Sequence, residues 1–380
     1  MRAYLDANAT TPLDPRVRAA MEPWLDCGNA SSLHAEGRAA RGAIDRAREQ
    51  VAALVGARAR EIAFTSGATE ANAIALLGAV RANAIRVVAC SAVEHPSVLR
   101  ALEALRPGVD VSLVGVGRDG RVPADAPLPK GAGLVSVMLA NNETGAVQPV
   151  RAIAERARAA GALVHTDAVQ ACGKMRVDVD GLGVHLLSLS AHKMHGPKGA
   201  GALYVRGGVR VAPLSRGGEH ERGLRPGTED VAAIAGLGAA AALAARELDA
   251  RRALWTSLRE RFLARLRSEI PSARVHSPAD GVPNTISVSF PGIPGDAILA
   301  ALDLAGVAVS TGSACASGAA EPSHVLVAQG LSREEAAQAI RASLHAGSTE
   351  RDVDVCLNEL ARCVKRLGDL RIGGGQSRRC

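Results

Sequence analysis

The chain has 380 residues, more than the roughly 250–300 at which one hydrophobic core stops growing, so its length predicts two domains. Hydrophobic residues make up 47% and aromatic residues only 2%, which suits helices packed on a parallel sheet. The net charge of +7 comes from arginines spread along the chain without a basic run, so we expect no direct nucleic-acid partner.

No apolar run reaches the ~18 residues of a membrane span, and the N-terminus lacks the apolar core of a signal peptide. We therefore expect a cytoplasmic protein without a membrane partner. The cysteines show no Cys-x-x-Cys spacing, so neither a disulfide framework nor a metal site is expected.

Short apolar runs alternate with helical patterns between residues 60 and 210, which is the βαβ order of a mostly parallel sheet. The predicted strands cover residues 85–90, 109–114, 134–139, 162–166, 186–190 and 202–205. A helical region over 230–266 leads into a second unit, with a strand over 284–290, a helix over 295–305 and a final helix opened by Thr349. The sequence predicts an α/β fold, with a large domain built on a mostly parallel sheet flanked by helices and a smaller α+β domain.

Lys193 follows the predicted strand 186–190 and precedes a glycine-rich turn. Ligands of α/β sheets bind in the crevice outside the carboxyl ends of the strands. A lysine that is partly desolvated there has a lowered pKa and can act as a neutral amine in Schiff-base chemistry. This chemistry indicates pyridoxal phosphate as the cofactor. A lone lysine is more often a solvated loop residue, so the interpretation depends on the other motifs.

The turn Ser66-Gly67-Ala68-Thr69 separates a strand from an apolar helix. Backbone N–H groups and a hydroxyl at a helix N-terminus form an anion site, and phosphate is its natural ligand. A turn of this composition also serves simply to cap a helix.

Asp167 follows the predicted strand 162–166, where a buried carboxylate needs a partner. A protonated pyridine nitrogen is such a partner, because the carboxylate raises its pKa and keeps the ring an electron sink. The alternative is that Asp167 caps the next helix. Gln170 lies within one turn and could donate to the cofactor's phenolic oxygen. His95 could stack on a flat ring or transfer a proton, or be an ordinary loop histidine, and Asn142 ends another strand at the same edge.

Cys315 lies among glycine, alanine and serine without apolar periodicity, which predicts an accessible thiol. Arg341 begins a short strand-like segment, and its guanidinium can hold a carboxylate with two hydrogen bonds.

These motifs occur together in the order of one family. They are YLDANATT (4–11), GNASSLH (28–34), FTSGATE (64–70), EH (94–95), NNE (141–143), DAVQ (167–170), SLSAHKMHGPKG (188–199), RPGT (225–228), GSACAS (312–317) and IR (340–341). Over essentially its whole length the chain resembles the cysteine desulfurases of the NifS/IscS type, which belong to the class-V aminotransferase family and have the type I fold of PLP-dependent transferases. The segment around Cys315 resembles that of the subgroup with a long cysteine loop.

The resemblance implies a role for each residue. Lys193 bonds pyridoxal 5'-phosphate and then moves protons at the α-carbon of L-cysteine, while Asp167 pairs with the pyridine nitrogen. His95 stacks over the ring, and the Cys315 thiolate takes the substrate sulfur as a persulfide and releases L-alanine. The implied cofactor ligands are Ala68, Thr69, Asn142, Asp167, Gln170, Ser190, His192, Lys193 and Thr228, of which Thr228 reaches the site of the partner subunit. Asn142 and Arg341 bind the substrate.

The resemblance also implies a homodimer and a sulfur-acceptor protein, such as an iron–sulfur scaffold. We expect the large PLP-binding domain at residues 13–254, the small domain with the cysteine loop at 1–12 and 255–372, and a disordered tail at 373–380. Two alternatives stay open at this point. A selenocysteine lyase or another enzyme of the class-V aminotransferase family would share the cofactor residues, although an aminotransferase has no use for Cys315. A non-enzymatic sulfur carrier would need the thiol without Lys193.

Overall fold

A computed structural model gives the fold of this chain and describes residues 2–312 and 321–376. The strands are β1 (Ala3–Tyr4), β2 (Ile62–Thr65), β3 (Val87–Ser91), β4 (Asp110–Val114), β5 (Leu134–Ser136), β6 (Leu163–Asp167), β7 (Leu186–Ser190), β8 (Gly201–Val205), β9 (Arg274–Val275), β10 (Thr285–Ser289), β11 (Val307–Ala308), β12 (Ser310–Thr311) and β13 (Ala339–Ser343). The helices are α1 (Pro15–Met21), α2 (Ala35–Val55), α3 (Ala68–Ala73), α4 (Ala79–Asn83), α5 (Pro96–Glu103), α6 (Val150–Ala159), α7 (Val179–Leu182), α8 (Val231–Glu269), α9 (Gly295–Leu304), α10 (His324–Ala328), α11 (Arg333–Ala336) and α12 (Glu350–Gln376). A π-helical turn over Ile74–Gly78 joins α3 to α4.

The central sheet has the strand order β2-β8-β7-β6-β5-β3-β4 within the described residues. Strand β8 runs antiparallel to both of its neighbours, and the other pairs are parallel. Every residue of β7 is buried, as expected for a strand covered on both faces. The predicted α/β fold with a mostly parallel sheet is therefore confirmed.

This topology brings the carboxyl ends of β2, β3, β5, β6 and β7 to one edge of the sheet. The segments that follow those ends carry most of the residues that the sequence predicted for the site. Asp167 is the last residue of β6, and Lys193 ends a single 3-10 turn after β7. The sheet thus places residues that are far apart in sequence around one crevice.

A second sheet has the order β12-β13-β10-β9 and antiparallel neighbours, while β1 pairs with β11. Each sheet has its own cluster of buried apolar side chains. Helix α8 contributes Leu237 and Ala241 to the cluster of the central sheet and Trp255 and Phe262 to that of the second. The domain boundary near residue 254 stays a prediction, since α8 runs through it without a break.

The two longest helices, α8 and α12, differ in how their sequences relate to their positions in the fold. Helix α8 is long and apolar enough to span a membrane, but 67% of its most apolar 18-residue window is buried inside the protein, as in a core helix. Helix α12 begins as predicted, with Thr349 and Asp352 bonding to each other's backbone N–H groups. It reaches Gln376 and so includes the first four residues of the segment 373–380.

The free edge of β2 is covered by side chains rather than by another strand. Arg48 forms a two-pronged ion pair with Glu221, with N–O distances of 2.6 and 2.8 Å, and its Nη1 also donates to the Ile62 carbonyl at 2.7 Å. Glu221 accepts from the Phe64 N–H at 2.9 Å. Glu221 and Arg222 adopt positive φ angles of 47° and 59°, a strained conformation that these contacts stabilise. The ion pair therefore provides hydrogen-bond partners for the backbone of β2, the strand that leads to the turn 66–69.

We expect Arg48→Met to lower the free energy of unfolding by about 3–5 kcal/mol, because it leaves the Glu221 carboxylate buried and unpaired. Urea denaturation of the apoprotein followed by circular dichroism measures the loss. Arg100→Met is the matched control: it breaks the exposed ion pair with Glu103 and should cost less than about 1 kcal/mol. Equal losses in the two variants would show that the Arg48 pair does not hold the sheet edge.

Candidate active site

A cavity of about 650 Å³ opens at the carboxyl edge of the central sheet. It collects residues from the N-terminal segment, from the turns after five strands, and from the second sheet. The lining residues are Asn8, Ala9, Thr10, Ser66, Gly67, Ala68, Thr69, Glu70, His95, Ser97, Met138, Asn142, Asp167, Val169, Gln170, Ser190, His192, Lys193, Lys198, Gly199, Gly312 and Arg341. Of the site residues predicted from sequence, all except Thr228 and Cys315 are in this set.

Lys193 is partly buried at the cavity wall. Its Nζ donates to the backbone carbonyls of Asn8 at 2.5 Å and Ala9 at 2.8 Å. Lys198 also lines the cavity, whereas Lys174 is buried behind it. Of these three lysines, Lys193 is the one that is partly buried and follows directly on a core strand.

Asp167 is buried at the end of β6. One carboxylate oxygen accepts from Asn72 Nδ2 at 2.8 Å, and the other accepts from the Val169 N–H at 3.0 Å. Within residues 2–312 and 321–376, no arginine, lysine or histidine forms an ion pair with this carboxylate. Asp167 does not cap a helix, because the residues after it form turns and α7 begins only at Val179. Its carboxylate lines the cavity without an ion pair among the described residues.

His95 belongs to a chain of hydrogen bonds that leads back to Asp167. Its Nδ1 lies 2.8 Å from Ser97 Oγ, and Ser97 Oγ accepts from Asn72 Nδ2 at 2.9 Å. Burial lowers the pKa of His95, against the opposing charge of Asp167, so the ring is neutral at neutral pH. Burial also raises the pKa of the adjacent Glu94 to about 8, which keeps that carboxyl largely protonated behind the ring.

The turn 66–69 lies at the N-terminus of α3 with Thr69 exposed to the cavity. A Cβ atom on Gly201 would lie 2.6 Å from Gly67 Cα, so glycine in β8 lets this turn pack directly on the sheet. The Ser66 N–H donates to Glu70 at 2.5 Å, and Glu70 accepts from Arg225 Nε at 3.1 Å. Arg225 therefore offsets the charge of the Glu70 carboxylate next to the turn.

Ser190 and His192 flank the same end of the cavity. His192 Nδ1 lies 3.2 Å from Thr10 Oγ1. Burial, together with the nearby lysines Lys193 and Lys198, lowers the pKa of His192 to about 4. Hydroxyl, imidazole and helix N-terminal N–H groups thus converge where an anion can bind.

Arg341 approaches the cavity from β13 in the second sheet. Its Nη2 donates to Asp6 at 2.8 Å and its Nη1 to the Asn142 carbonyl at 3.1 Å. The buried Nε has no hydrogen-bond partner among the described residues. The guanidinium is held from one side and keeps a donor for a ligand carboxylate.

Thr228 does not line this cavity, and Cys315 is not among the described residues. Thr228 lines a smaller cavity of about 220 Å³ that shares Ser66 and Gly199 with the main one. Cys315 falls outside the described residues, but Gly312, the last described residue before it, lines the main cavity.

Four of the five described cysteines make poor nucleophiles because burial raises their pKa. Burial raises the thiol pKa of Cys172 and Cys356 to about 12 and that of Cys90 well above its usual range. It also raises the pKa of Cys363. Cys27 is partly buried and does not line the cavity. Among the described residues, no cysteine lines the cavity.

Several residues at the site were not assigned a role from sequence. Asn8, Asp6, Asn72, Ser97 and Lys174 hold the predicted residues in place through contacts across the chain. Asp6 and Asn8 belong to the motif YLDANATT, which was the one local signal available for them.

In chemical terms, the cavity offers an anion site at one end and a buried carboxylate and a lysine in its interior. A guanidinium with an unused donor lies on the second sheet. Such a cavity accommodates a phosphorylated, cationic ring together with a small carboxylate.

Comparison with known proteins gives the same assignment. The family model Aminotransferase class-V matches residues 3–356. A cysteine desulfurase of Cereibacter sphaeroides is 46% identical, over 99% of this chain and 99% of that protein. The solved structure of a NifS-like protein has a TM-score of 0.90 at 37% identity, covering 97% of this chain and 100% of that one. A structure of SspA in complex with cysteine has a TM-score of 0.79 at 34% identity, covering 90% and 99% of the two chains. The resemblance seen in the motifs is confirmed: this chain belongs to the class-V aminotransferase family, among its cysteine desulfurases.

Proposed function

We propose that this protein removes the sulfur atom of L-cysteine with the help of pyridoxal phosphate. The products are L-alanine and a persulfide on Cys315. The observation that carries the proposal is the convergence of Lys193, Asp167 and the turn 66–69 on one cavity of about 650 Å³. The relatives named cysteine desulfurase support the same reaction.

The residues present fit pyridoxal phosphate. The Asp167 carboxylate lacks a cation among the described residues, which suits a protonated ring nitrogen. The turn 66–69, with Ser190 and His192, suits the phosphate. His95 is held by Ser97 in a position from which it can stack on the ring. When bound, the cofactor supplies an electron sink for the substrate carbon atoms.

The chain's own residues then perform binding and proton transfer. Arg341 holds the substrate carboxylate through the donors that Asp6 and Asn142 leave unused. Lys193 Nζ removes the proton from the substrate α-carbon and returns a proton as L-alanine forms. Gln170 and Asn142, which line the cavity, orient the ring and the substrate relative to each other.

Cys315 supplies the second nucleophile. It follows the cavity residue Gly312 by three residues, a length of chain that spans at most about 11 Å. The Cys315 thiolate bonds to the substrate sulfur, and the electron pair of the broken C–S bond stays on the substrate β-carbon, which takes up a proton. The sulfur atom is thus transferred without any external oxidant.

We also infer a cytoplasmic homodimer in which Thr228 completes the phosphate site of the partner subunit. Its place beside Ser66, outside the main cavity, is compatible with that role. The persulfide would pass to an acceptor protein such as an iron–sulfur scaffold. Selenocysteine lyase is the alternative activity, and the same residues would serve it.

We expect Lys193→Ala to bind pyridoxal phosphate without a covalent bond, because the attacking amine is gone. Borohydride reduction followed by mass spectrometry measures covalent attachment. Lys198→Ala is the matched control, since Lys198 also lines the cavity but should leave attachment intact. Cofactor covalently attached to the Lys193→Ala protein would show that another lysine forms the bond.

Cys315→Ser should bind cofactor and L-cysteine but form no persulfide in a single turnover, because a hydroxyl does not replace a thiolate. Mass spectrometry of the protein after one equivalent of L-cysteine measures the added sulfur. Cys27→Ser, the control at a cysteine away from the cavity, should carry the persulfide as the wild type does. Sulfur added to the Cys315→Ser protein would refute the assignment of the nucleophile.

A further inference from the structure

Lys174 is a buried lysine for which the proposed reaction has no use. Its side chain is behind the cavity wall, and within the part of the chain that the structure describes it forms no ion pair with a carboxylate. Burial lowers its pKa well below the usual range, and the neighbouring charges of Lys193 and Arg341 act in the same direction. A lysine kept in so unfavourable a place needs a compensating function.

The hydrogen bonds of Lys174 go to two amide oxygens that belong to the site. Its Nζ donates to Asn8 Oδ1 at 2.8 Å and to Gln170 Oε1. Gln170 in turn donates from Nε2 to the Asn8 carbonyl at 3.0 Å. That same carbonyl accepts from Lys193 Nζ at 2.5 Å.

These contacts fix which way the Gln170 amide faces. If the amide were reversed, its NH₂ group would meet the Lys174 amine and its oxygen would meet the Asn8 carbonyl. Both present hydrogen bonds would be lost, and two buried polar groups would be left unsatisfied. Lys174 does not line the cavity, so the oxygen of Gln170 is held toward the protein interior.

We propose that Lys174 is a positioning residue, which turns the Gln170 oxygen inward so that the Gln170 nitrogen faces the cavity and donates to the ring oxygen of the bound cofactor. The inference rests on the proposed function, since it takes pyridoxal phosphate as the occupant of the cavity. Nε2 has two hydrogens, one for the Asn8 carbonyl and one for the cofactor. Lys174 itself touches neither cofactor nor substrate.

The test measures the Kd of the apoprotein for pyridoxal phosphate. Lys174→Met removes the donor and keeps most of the volume, and we expect binding to weaken about tenfold, the effect of one hydrogen bond. Lys130→Met, at an exposed lysine, is the control and should bind as the wild type does. An unchanged Kd in Lys174→Met would overturn the proposal.

A double-variant cycle separates positioning from a merely structural role. If Lys174 acts through Gln170, adding Lys174→Met to Gln170→Ala should weaken binding by no more than about twofold beyond Gln170→Ala alone. A structural role predicts instead that the two losses multiply. That result would overturn the proposal.

Lys174→Gln keeps N–H donors at this position and should bind the cofactor within about threefold of the wild type. If Lys174→Met does not fold, the same cycle is run with Lys174→Leu, which also lacks the donor. A loss that disappears beside Gln170→Ala supports positioning, while an unchanged Kd, or a loss that persists there, overturns it. A wild-type protein that does not bind pyridoxal phosphate would refute the proposed function itself, which is a distinct result.

Discussion

The Asp167 carboxylate is buried at the end of β6, and the described part of the chain supplies it with hydrogen bonds but with no cation. A buried charge in that state is costly unless a ligand compensates it. The neighbouring strand β7 brings Lys193 to the same crevice, and β2, at the edge of the sheet, brings the anion-binding turn 66–69. The site is therefore organised around a buried carboxylate that forms no ion pair within the described residues and suits a cationic ring.

The N-terminal segment connects this crevice to the rest of the molecule. Asn8 bonds to Lys193, Gln170 and Lys174 of the central-sheet region, and to Thr285, Asn284 and Ser343 of the second sheet. Asp6, two residues earlier, holds Arg341. A short stretch of chain thus sets both the cofactor side and the substrate side of the cavity. Both polar atoms of the Asn8 side chain form hydrogen bonds, which position the segment between the two sheets.

Much of this was predictable where the signal is local in sequence. The apolar run 186–190 and the residues after it gave both β7 and the place of Lys193, because strand ends and ligand sites coincide in α/β sheets. Asn72 and Lys174 could not be found in this way. Asn72 lies in an apolar helix and reaches Asp167 across 95 residues, while Lys174 resembles any lysine after a glycine. Such contacts depend on packing between distant segments, which periodicity and turn chemistry do not encode.

If Asp167 faces a protonated ring nitrogen, pyridoxal phosphate labelled with ¹⁵N at that nitrogen and bound to the protein should show the chemical shift of a pyridinium, even at a pH at which the free ring is neutral. In Asp167→Asn the same label should show the shift of a neutral pyridine. A neutral pyridine shift in the wild-type protein would show that Asp167 does not hold a charged ring.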